Sequence, residues 1–224
     1  MKIAGAPVSW GVCEVPGWGP VRAVLNDHGV ELVGGFVPLV LHRAAARIVA
    51  LSVDEQSHLV AMLAEVDRIV ADRGITQVLH PHVNTARDVQ FVFDNSDAGR
   101  CLDTGHLAIG GFDPIEFARE DGVRVAHVHL KDVDLGLAAR LWSGERSLME
   151  AIVAGVFRSL GIGHVDVAAV IRSLLGGGYD GWFVLEQDFS IQGDAPTEGT
   201  GPVEDVAIRL EFLRAQIDSF ETVR

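Results

Sequence analysis

Short apolar runs alternate along this chain with segments whose apolar residues recur at helical spacing. The clearest helical segment follows Ser52, where Ser-Val-Asp-Glu has the spacing of a capping box and the apolar residues from Leu59 to Val70 repeat every three or four positions. A chain that alternates strands with helices places its strands parallel, because each helix carries the chain back to the same end of the sheet. Several runs are apolar almost without a break, which is typical of strands covered on both faces. The pattern predicts an α/β fold.

Glycine, proline and capping residues set the limits of the predicted elements. Strands are predicted over 2–10, 30–41, 75–83, 99–104, 123–130 and 181–187. Helices are predicted over 21–27, 52–74 and 86–94, after Asp113-Pro114, after Asp166, and from Pro202 to about 217. The mixed segment 133–165 predicts a lid or a long loop with helical pieces. No linker divides the chain, so residues 1–224 are interpreted as one domain.

Composition narrows the functional classes. The chain has 224 residues, is 48% hydrophobic and carries a formal net charge of −13. That charge disfavours nucleic acids and anionic membranes as partners, because phosphate recognition needs clustered Lys and Arg. Cys13 and Cys101 lie far apart in apolar surroundings, which is typical of reduced thiols. No signal-peptide core and no apolar run of ~18 residues is visible, so we expect a soluble, cytoplasmic protein.

Acidic and imidazole side chains stand where three apolar runs stop. The three blocks are Cys-Leu-Asp-Thr-Gly-His (101–106), His-Val-His-Leu-Lys-Asp (127–132) and Phe-Val-Leu-Glu-Gln-Asp (183–188). Because chemistry in parallel α/β folds gathers at the C-terminal strand ends, we expect Asp103, His129 and Glu186 to converge. Two carboxylates and an imidazole suit a divalent ion such as Mn²⁺, Co²⁺, Mg²⁺ or Zn²⁺. A structural zinc site is disfavoured, because the cysteines are not clustered.

Each of these residues also has an ordinary structural interpretation. Asp103 could cap a following helix, although Thr-Gly-His does not resemble the start of one. His129 could be a hydrogen-bonded sheet histidine, but a glutamate as deep in an apolar run as Glu186 needs a partner, and a metal is a natural one. His127, His129 and Lys131 share one face of the strand. Lys131 and Asp132 could form a surface ion pair. His80 and His82 could be two turn residues around Pro81.

At these motifs the chain resembles the xylose-isomerase-like TIM-barrel superfamily of sugar isomerases and epimerases. The resemblance rests on Asp-Thr-Gly-His (103–106), His-Val-His-Leu-Lys-Asp (127–132) and Leu-Glu-Gln-Asp (185–188). Ala-Pro-Val-Ser-Trp (6–10) and His-Pro-His-Val-Asn-Thr (80–85) bring it nearest to the inosose dehydratase branch. The expected fold is therefore a (β/α)8 TIM barrel of the xylose-isomerase type.

The resemblance also implies a site. In this family a Glu, an Asp, a His and a second Glu from successive strand ends hold the metal, and Asp103, His129 and Glu186 match the last three. By the same resemblance His106 and Lys131 contact the substrate, and Glu186 is one of the two glutamates that act as acid and base in the epimerases. Substrate contacts are also expected from three residues of the matching motifs, namely Trp10, His82 and Asp132.

The chain departs from the family pattern in two ways. The first metal-site Glu should follow Thr85 within a few residues, but Ala-Arg-Asp-Val-Gln stands there. About six strands are visible rather than eight, and 224 residues is short for a barrel of ~250. Either the barrel is incomplete or segments are missing from the recorded sequence. We favour the second, because removing interior strands would expose edges that need covering.

The leading hypothesis is a metal-dependent isomerase, epimerase or inosose-dehydratase-like lyase that acts on a small sugar or polyol through enediolate chemistry. Glu186 would move a proton on the carbon beside a carbonyl, while His106 and Lys131 would stabilise the developing negative oxygen or assist a departing hydroxyl. The alternative is a degenerate barrel that binds a sugar-like ligand without catalysis. A metal-dependent endonuclease is a third option, which the net charge disfavours. The exact substrate, the metal and the oligomeric state, a homodimer included, are left open.

Overall fold

The computed structural model describes residues 2–5, 51–72, 74–82, 86–120, 122–186, 188–191, 193–194, 196–197 and 200–223. Within these ranges the chain forms the alternating α/β pattern that the sequence predicts. Several expectations lie outside the described residues: the substrate contact of Trp10, the reduced thiol of Cys13, residues 6–10 of the first strand, the strand over 30–41 and the helix over 21–27. None of the described helices is both long enough and apolar enough to cross a membrane.

Seven strands and eight α-helices are described. The strands are β1 (Lys2–Gly5), β2 (Val78–Leu79), β3 (Gly99–Asp103), β4 (Val125–Leu130), β5 (Asp132–Val133), β6 (Phe157–Arg158) and β7 (Trp182–Leu185). The helices are α1 (Val53–Ala71), α2 (Ala86–Asn95), α3 (Thr104–Gly110), α4 (Pro114–Glu120), α5 (Leu135–Trp142), α6 (Leu148–Val153), α7 (Val167–Gly176) and α8 (Pro202–Val223). A 3₁₀ turn covers Gly122–Arg124.

Five of the strands form one parallel sheet in the order β1-β7-β4-β3-β2. The first strand of the chain pairs with the last, with Ile3 opposite Phe183. That pairing is the one that closes a barrel, and an open doubly wound sheet does not need it. Strands β5 and β6 form a separate antiparallel pair.

Burial explains why the central strands are apolar almost throughout. Leu102 of β3, Val128 of β4 and Phe183 of β7 are fully buried. Helices α4 and α8 pack against β3 and β7, respectively, and both pack against α7, whose Val170 and Ile171 belong to the same buried cluster. The sheet therefore has a helical layer outside it, and its strand ends are held in fixed register.

Several helix limits agree with the sequence. Ser52 caps α1 and forms both hydrogen bonds of the capping box with Glu55. Asp166 caps α7 through Ala169, and α8 begins at Pro202. These limits depend on local hydrogen bonds and on the fixed φ of proline, which is why the sequence alone could locate them.

Other expectations were wrong in part. In the described part of 75–83, residues 75–82, the strand is limited to Val78–Leu79, because Pro81 has no N–H to donate to a ladder. The helical pieces expected in 133–165 are present as α5 and α6, but that segment also contains the β6 strand that pairs with β5, which was not predicted.

Asp132, an expected substrate contact, has a structural task here. It is fully buried, and its two carboxylate oxygens accept four backbone hydrogen bonds of 2.9–3.0 Å. The donors are the N–H groups of Val133, Gly161, Gly163 and Val165. A Cβ at Gly163 would lie 2.2 Å from Asp132 Oδ1, so only glycine fits against the carboxylate. Asp132 therefore anchors the 161–165 loop, and the structure does not bring it to the cluster of strand-end residues.

This anchor predicts a specific loss of stability. Asp132→Asn should lower the free energy of unfolding by about 3 kcal/mol, because the amide presents N–H groups to backbone donors that the carboxylate oxygens now satisfy. Urea denaturation monitored by circular dichroism measures the change. Asp166→Asn is the matched control, and it should change stability by less than about 0.5 kcal/mol because Asn caps a helix as well as Asp does. Equal effects of the two substitutions would contradict the anchoring role.

Candidate metal centre

Asp103, His129 and Glu186 come together because their strands are neighbours in register. Asp103 at the end of β3 is opposite His129 on β4, and His129 is opposite Val184 on β7, two residues before Glu186. His129 Nδ1 is hydrogen-bonded to Glu186 Oε2 and lies 3.8 Å from Asp103 Oδ2. All three side chains are buried. The structure therefore brings the three predicted metal ligands to one point.

Asp103 has a different task for each oxygen. Its Oδ1 accepts a hydrogen bond from the backbone N–H of His106 at 2.8 Å and so caps α3, a helix that the sequence did not predict. Its Oδ2 faces the cluster, 3.0 Å from Lys131 Nζ and 3.1 Å from His80 Nε2. The capping interpretation and the site interpretation therefore hold together, and the cap fixes the direction of the second oxygen.

Lys131 lies at the centre of the cluster. Its side chain is 0% exposed, and its Nζ lies 3.2 Å from Glu186 Oε1 and 3.2 Å from Asp188 Oδ2, besides its contact with Asp103. The alternative of a surface ion pair with Asp132 is therefore wrong. A Cβ at Gly105 would approach Lys131 Cβ to 2.6 Å, so the glycine of Asp-Thr-Gly-His makes room for the lysine stem.

The second expected substrate contact, His106, is next to the ammonium. Lys131 Nζ donates to His106 Nε2 at 2.8 Å, which requires that nitrogen to be unprotonated. Burial lowers the pKa of His106 well below its ordinary value, and Asp103 opposes that shift only in part. His106 Nδ1 is buried and has no hydrogen-bond partner among the described residues. The pair thus combines a charged donor with a neutral imidazole.

Electrostatics keep the carboxylates of the cluster ionised. Burial by itself would raise the pKa of Glu186, but the hydrogen bond with His129 and the charge of Lys131 lower it to about 2. Burial is also the largest influence on Asp103, yet Lys131, His106 and His80 hold the pKa of Asp103 well below its ordinary value. The three neighbouring carboxylates raise the pKa of Lys131 even though its burial acts in the other direction.

Two histidines that the sequence could assign to a turn lie beside this cluster. The His82 ring packs at 4.1 Å between centroids on the ring of His106, with an angle of 41° between their planes, and His82 is exposed. The His80 ring is 4.8 Å from that of His129. His80 therefore belongs to the cluster. His82 lies at the rim of the cluster and is exposed, so its contact with a substrate stays a prediction.

A further contact, from Arg209 of α8, was not visible in the sequence. Its Nη1 donates to the backbone carbonyl of Glu186 at 3.0 Å, and its Nε pairs with Asp205. The guanidinium is buried. The C-terminal helix thus fixes the backbone just where β7 delivers its carboxylate, and no local pattern could have linked residues so far apart.

The donors present fit a divalent ion. One ligand atom each from His80, Asp103, His129 and Glu186 lie within 4.8 Å of one another. Donors around an ion at about 2.0–2.2 Å lie within about 4.4 Å of each other, so small side-chain movements complete such a site. With neutral imidazoles, three carboxylates and the Lys131 ammonium leave two net negative charges, which a dication balances.

The parallel pairing of the first strand with the last, together with polar residues at the strand ends, is typical of an α/β barrel with a metal-type site. The sequence model of the xylose isomerase-like TIM barrel family matches residues 31–216. The chain belongs to this family.

Comparisons with known proteins agree with that assignment. An inosose dehydratase of Geobacillus thermodenitrificans (strain NG80-2) is 31% identical over 142 residues, which are 60% of this chain and 48% of that protein. The chain thus spans about half the length of this relative. The probable 3-DHS dehydratase AsbF from Bacillus anthracis has a TM-score of 0.58 at 16% identity, over 75% of this chain and 59% of that one. The IOLI protein, solved with a binding zinc atom, has a TM-score of 0.52 at 18% identity, over 76% and 59%.

The lowered pKa values predict how the metal-free fold responds to acid. Glu186 ionises in the folded protein with a pKa of about 2, below its ordinary value of 4.5, so its ionised form stabilises the fold. This contribution is complete above about pH 4.5 and is lost as the pH falls towards 2. Urea unfolding at a series of pH values in the presence of a chelator should show stability falling across that window. A flat profile would contradict the ionised cluster.

Lys131→Met tests the origin of this profile. The substitution leaves three carboxylates together without their cation, so stability at pH 7 should fall by about 3–5 kcal/mol. The difference from the wild type should shrink below about pH 4, where the carboxylates of the variant become protonated. Arg68→Met is the control: it removes an exposed ion pair with Glu65 on α1 and should cost less than about 1 kcal/mol at any pH.

Proposed function

We propose that this protein is a divalent-metal-dependent enzyme that removes water from a small keto-polyol such as a keto-inositol. The observation that carries the proposal is the buried group of Asp103, His129, Glu186 and Lys131 at the C-terminal ends of parallel strands. The similarity to an inosose dehydratase, and the fold shared with a probable 3-DHS dehydratase, support dehydration as the reaction. The zinc atom of the IOLI protein, which has the same fold, supports a metal at the strand ends.

Asp103, His129 and Glu186 are the proposed holders of the ion. When bound, the ion supplies Lewis-acid polarisation of a substrate carbonyl and its neighbouring hydroxyl. Mn²⁺, Co²⁺, Mg²⁺ and Zn²⁺ are the candidates that the sequence allows. The register of β3, β4 and β7 fixes the positions of the three side chains. Arg209 adds a hydrogen bond to the backbone carbonyl of Glu186.

Glu186 is the proposed base. It takes the proton from the carbon beside the substrate carbonyl, and the electron pair of that C–H bond forms the new double bond as the C–O bond at the next carbon breaks. Its low pKa keeps Glu186 ionised at neutral pH, which is the form that a base requires. The exposed His82, whose ring packs on that of His106, marks the side from which we propose that the substrate approaches.

Lys131 and His106 are proposed to act on the oxygens. The ammonium of Lys131 stabilises the negative charge that develops on the carbonyl oxygen. It also gives a proton to the departing hydroxyl, which leaves as water. The proton that Glu186 took from carbon then returns to Lys131 across the 3.2 Å between Glu186 Oε1 and Lys131 Nζ. The hydrogen bond from Lys131 to His106 Nε2 orients the two side chains as a unit.

Dehydration is favoured over epimerisation because the end of β2 contributes a histidine, His80, rather than a second glutamate. An epimerase that works with two glutamates needs a carboxylate on each face of the substrate, as the family resemblance implies. Among the described residues the β2 end contributes His80 to the cluster, and Asp188 is paired with Lys131. In the part of the chain that the structure describes, the group of possible metal ligands thus holds a single glutamate, Glu186, to move a proton, and elimination needs one base and one acid.

The alternative is a degenerate barrel that binds a sugar-like ligand without turnover. The lack of a glutamate within a few residues after Thr85 is the observation that favours it. Both proposals include a cytoplasmic location. Both also exclude a nucleic-acid partner, which the net charge of −13 disfavours. Turnover of 2-keto-myo-inositol by the metal-loaded protein decides between them.

Glu186→Gln and His129→Ala test the assigned roles. Glu186→Gln should lower kcat roughly a thousand-fold, because the amide cannot accept the proton. His129→Ala should lower activity at least about a hundred-fold at limiting metal and recover part of it at excess metal. The measurement is formation of a product lighter by one water, followed by mass spectrometry and by the absorbance of the new conjugated carbonyl.

Glu211→Gln on the exposed face of α8 is the matched control and should retain wild-type rates. Unchanged turnover in Glu186→Gln or His129→Ala would refute the roles given to these residues. A product of unchanged mass would replace dehydration with epimerisation or isomerisation.

A further inference from the structure

The end of β2 places an imidazole among the proposed metal ligands. We propose that His80 is the fourth ligand of the centre, and that the resulting pair of imidazoles and pair of carboxylates selects Zn²⁺ or Co²⁺ over Mg²⁺. The inference rests on the metal site of the proposed function and concerns this chain's own departure from the expected glutamate.

The position of His80 follows from the strand register. Val78 and Leu79 pair with Gly99 and Arg100 of β3, so the next residue stands at the strand end where Asp103 also emerges. His80 Nε2 lies 3.1 Å from Asp103 Oδ2, the same oxygen that faces His129. The His80 side chain is 14% exposed, and Pro81 directly after it is buried. The imidazole is thus held inward, with its Nε2 towards the other donors.

The charge of the group changes with this ligand. Asp103 and Glu186 carry two negative charges, which balance one dication, while His80 and His129 are neutral when they bind a metal. Lys131 is then balanced by Asp188, 3.2 Å away. A glutamate in place of His80 would leave one uncompensated negative charge in a buried site, which is unfavourable. The histidine therefore matches the charges that surround it.

The donor type decides the metal. Imidazole nitrogen suits Zn²⁺, Co²⁺ and other late transition ions, whereas Mg²⁺ prefers an all-oxygen, nearly octahedral shell. Two imidazoles among four protein ligands therefore disfavour Mg²⁺. A site with oxygen ligands at this position could accept Mg²⁺. With His80 as a ligand, the site should prefer Zn²⁺ or Co²⁺.

A rival set of donors contains a thiol. His80, Cys101 and His129 also lie close enough to share an ion. Cys101 lies two residues before the end of β3, whereas Asp103 ends that strand and places its Oδ2 3.1 Å from His80 Nε2. The carboxylate set is favoured because it brings four donors together, whereas the thiol set brings three. Cobalt spectroscopy separates the two sets, since only a thiolate ligand gives an intense sulfur-to-cobalt charge-transfer band.

The test is titration of the chelator-treated protein with Zn²⁺, Co²⁺ and Mg²⁺, followed by calorimetry and by the visible spectrum of the Co²⁺ form. His80→Ala should weaken Zn²⁺ and Co²⁺ binding by roughly a hundred-fold or more and alter the Co²⁺ spectrum. His80→Glu keeps a donor at this position, so it should still bind Co²⁺ with a changed spectrum and should narrow the preference for Zn²⁺ over Mg²⁺. His58→Ala, which removes an exposed imidazole from α1, should bind as the wild type does.

The outcomes separate this inference from the proposed function. Wild-type affinity and an unchanged Co²⁺ spectrum in His80→Ala would overturn it, as would a sulfur-to-cobalt band that Cys101→Ser abolishes. Failure of the wild type to bind any of the three ions would overturn it together with the metal site. Zinc bound through His80 without any turnover would support the inference and contradict the proposed enzymatic function.

Discussion

The buried ammonium of Lys131 is the interaction on which the site depends. It holds Asp103, Glu186 and Asp188 within 3.0–3.2 Å of one nitrogen, inside a core where none of these charges could stand alone. The carboxylates come from different strands, so the cation joins β3 to the segment that follows β7. Its stem fits because Gly105 leaves no Cβ in its path. Stability and chemistry therefore share one group of residues.

The same cluster explains why a barrel strand end can bear so many polar atoms. Asp103 uses one oxygen as a helix cap and the other towards the site, and Arg209 fixes the Glu186 backbone from the outer helical layer. Asp132, adjacent to Lys131 in sequence, directs its carboxylate to the 161–165 loop. Successive side chains of an extended segment point to opposite sides, so Lys131 faces the strand-end cluster and Asp132 faces the 161–165 loop.

Local signals were the predictable part of this fold. The capping box at Ser52 and the proline that opens α8 act through neighbouring atoms, so the sequence alone located them. The convergence of Asp103, His129 and Glu186 also followed from strand ends in a parallel sheet. The sequence also placed Lys131 on the strand face of His129 and, by resemblance, at the site. Its complete burial did not follow, because a lysine in sequence predicts exposure and this burial depends on three distant carboxylates. The place of His80 depends on how β2 lies against β3, which no spacing along the chain reveals.

We propose that these strand ends hold one divalent ion through oxygen and nitrogen ligands. X-ray absorption of the zinc-loaded protein tests it most directly, because zinc lies at about 2.0–2.2 Å from nitrogen and oxygen and at about 2.3 Å from sulfur. We expect a shell of nitrogen and oxygen ligands with the outer scattering of two imidazoles, and loss of that shell in Asp103→Ala. A sulfur shell, or zinc binding that survives Asp103→Ala unchanged, would contradict it.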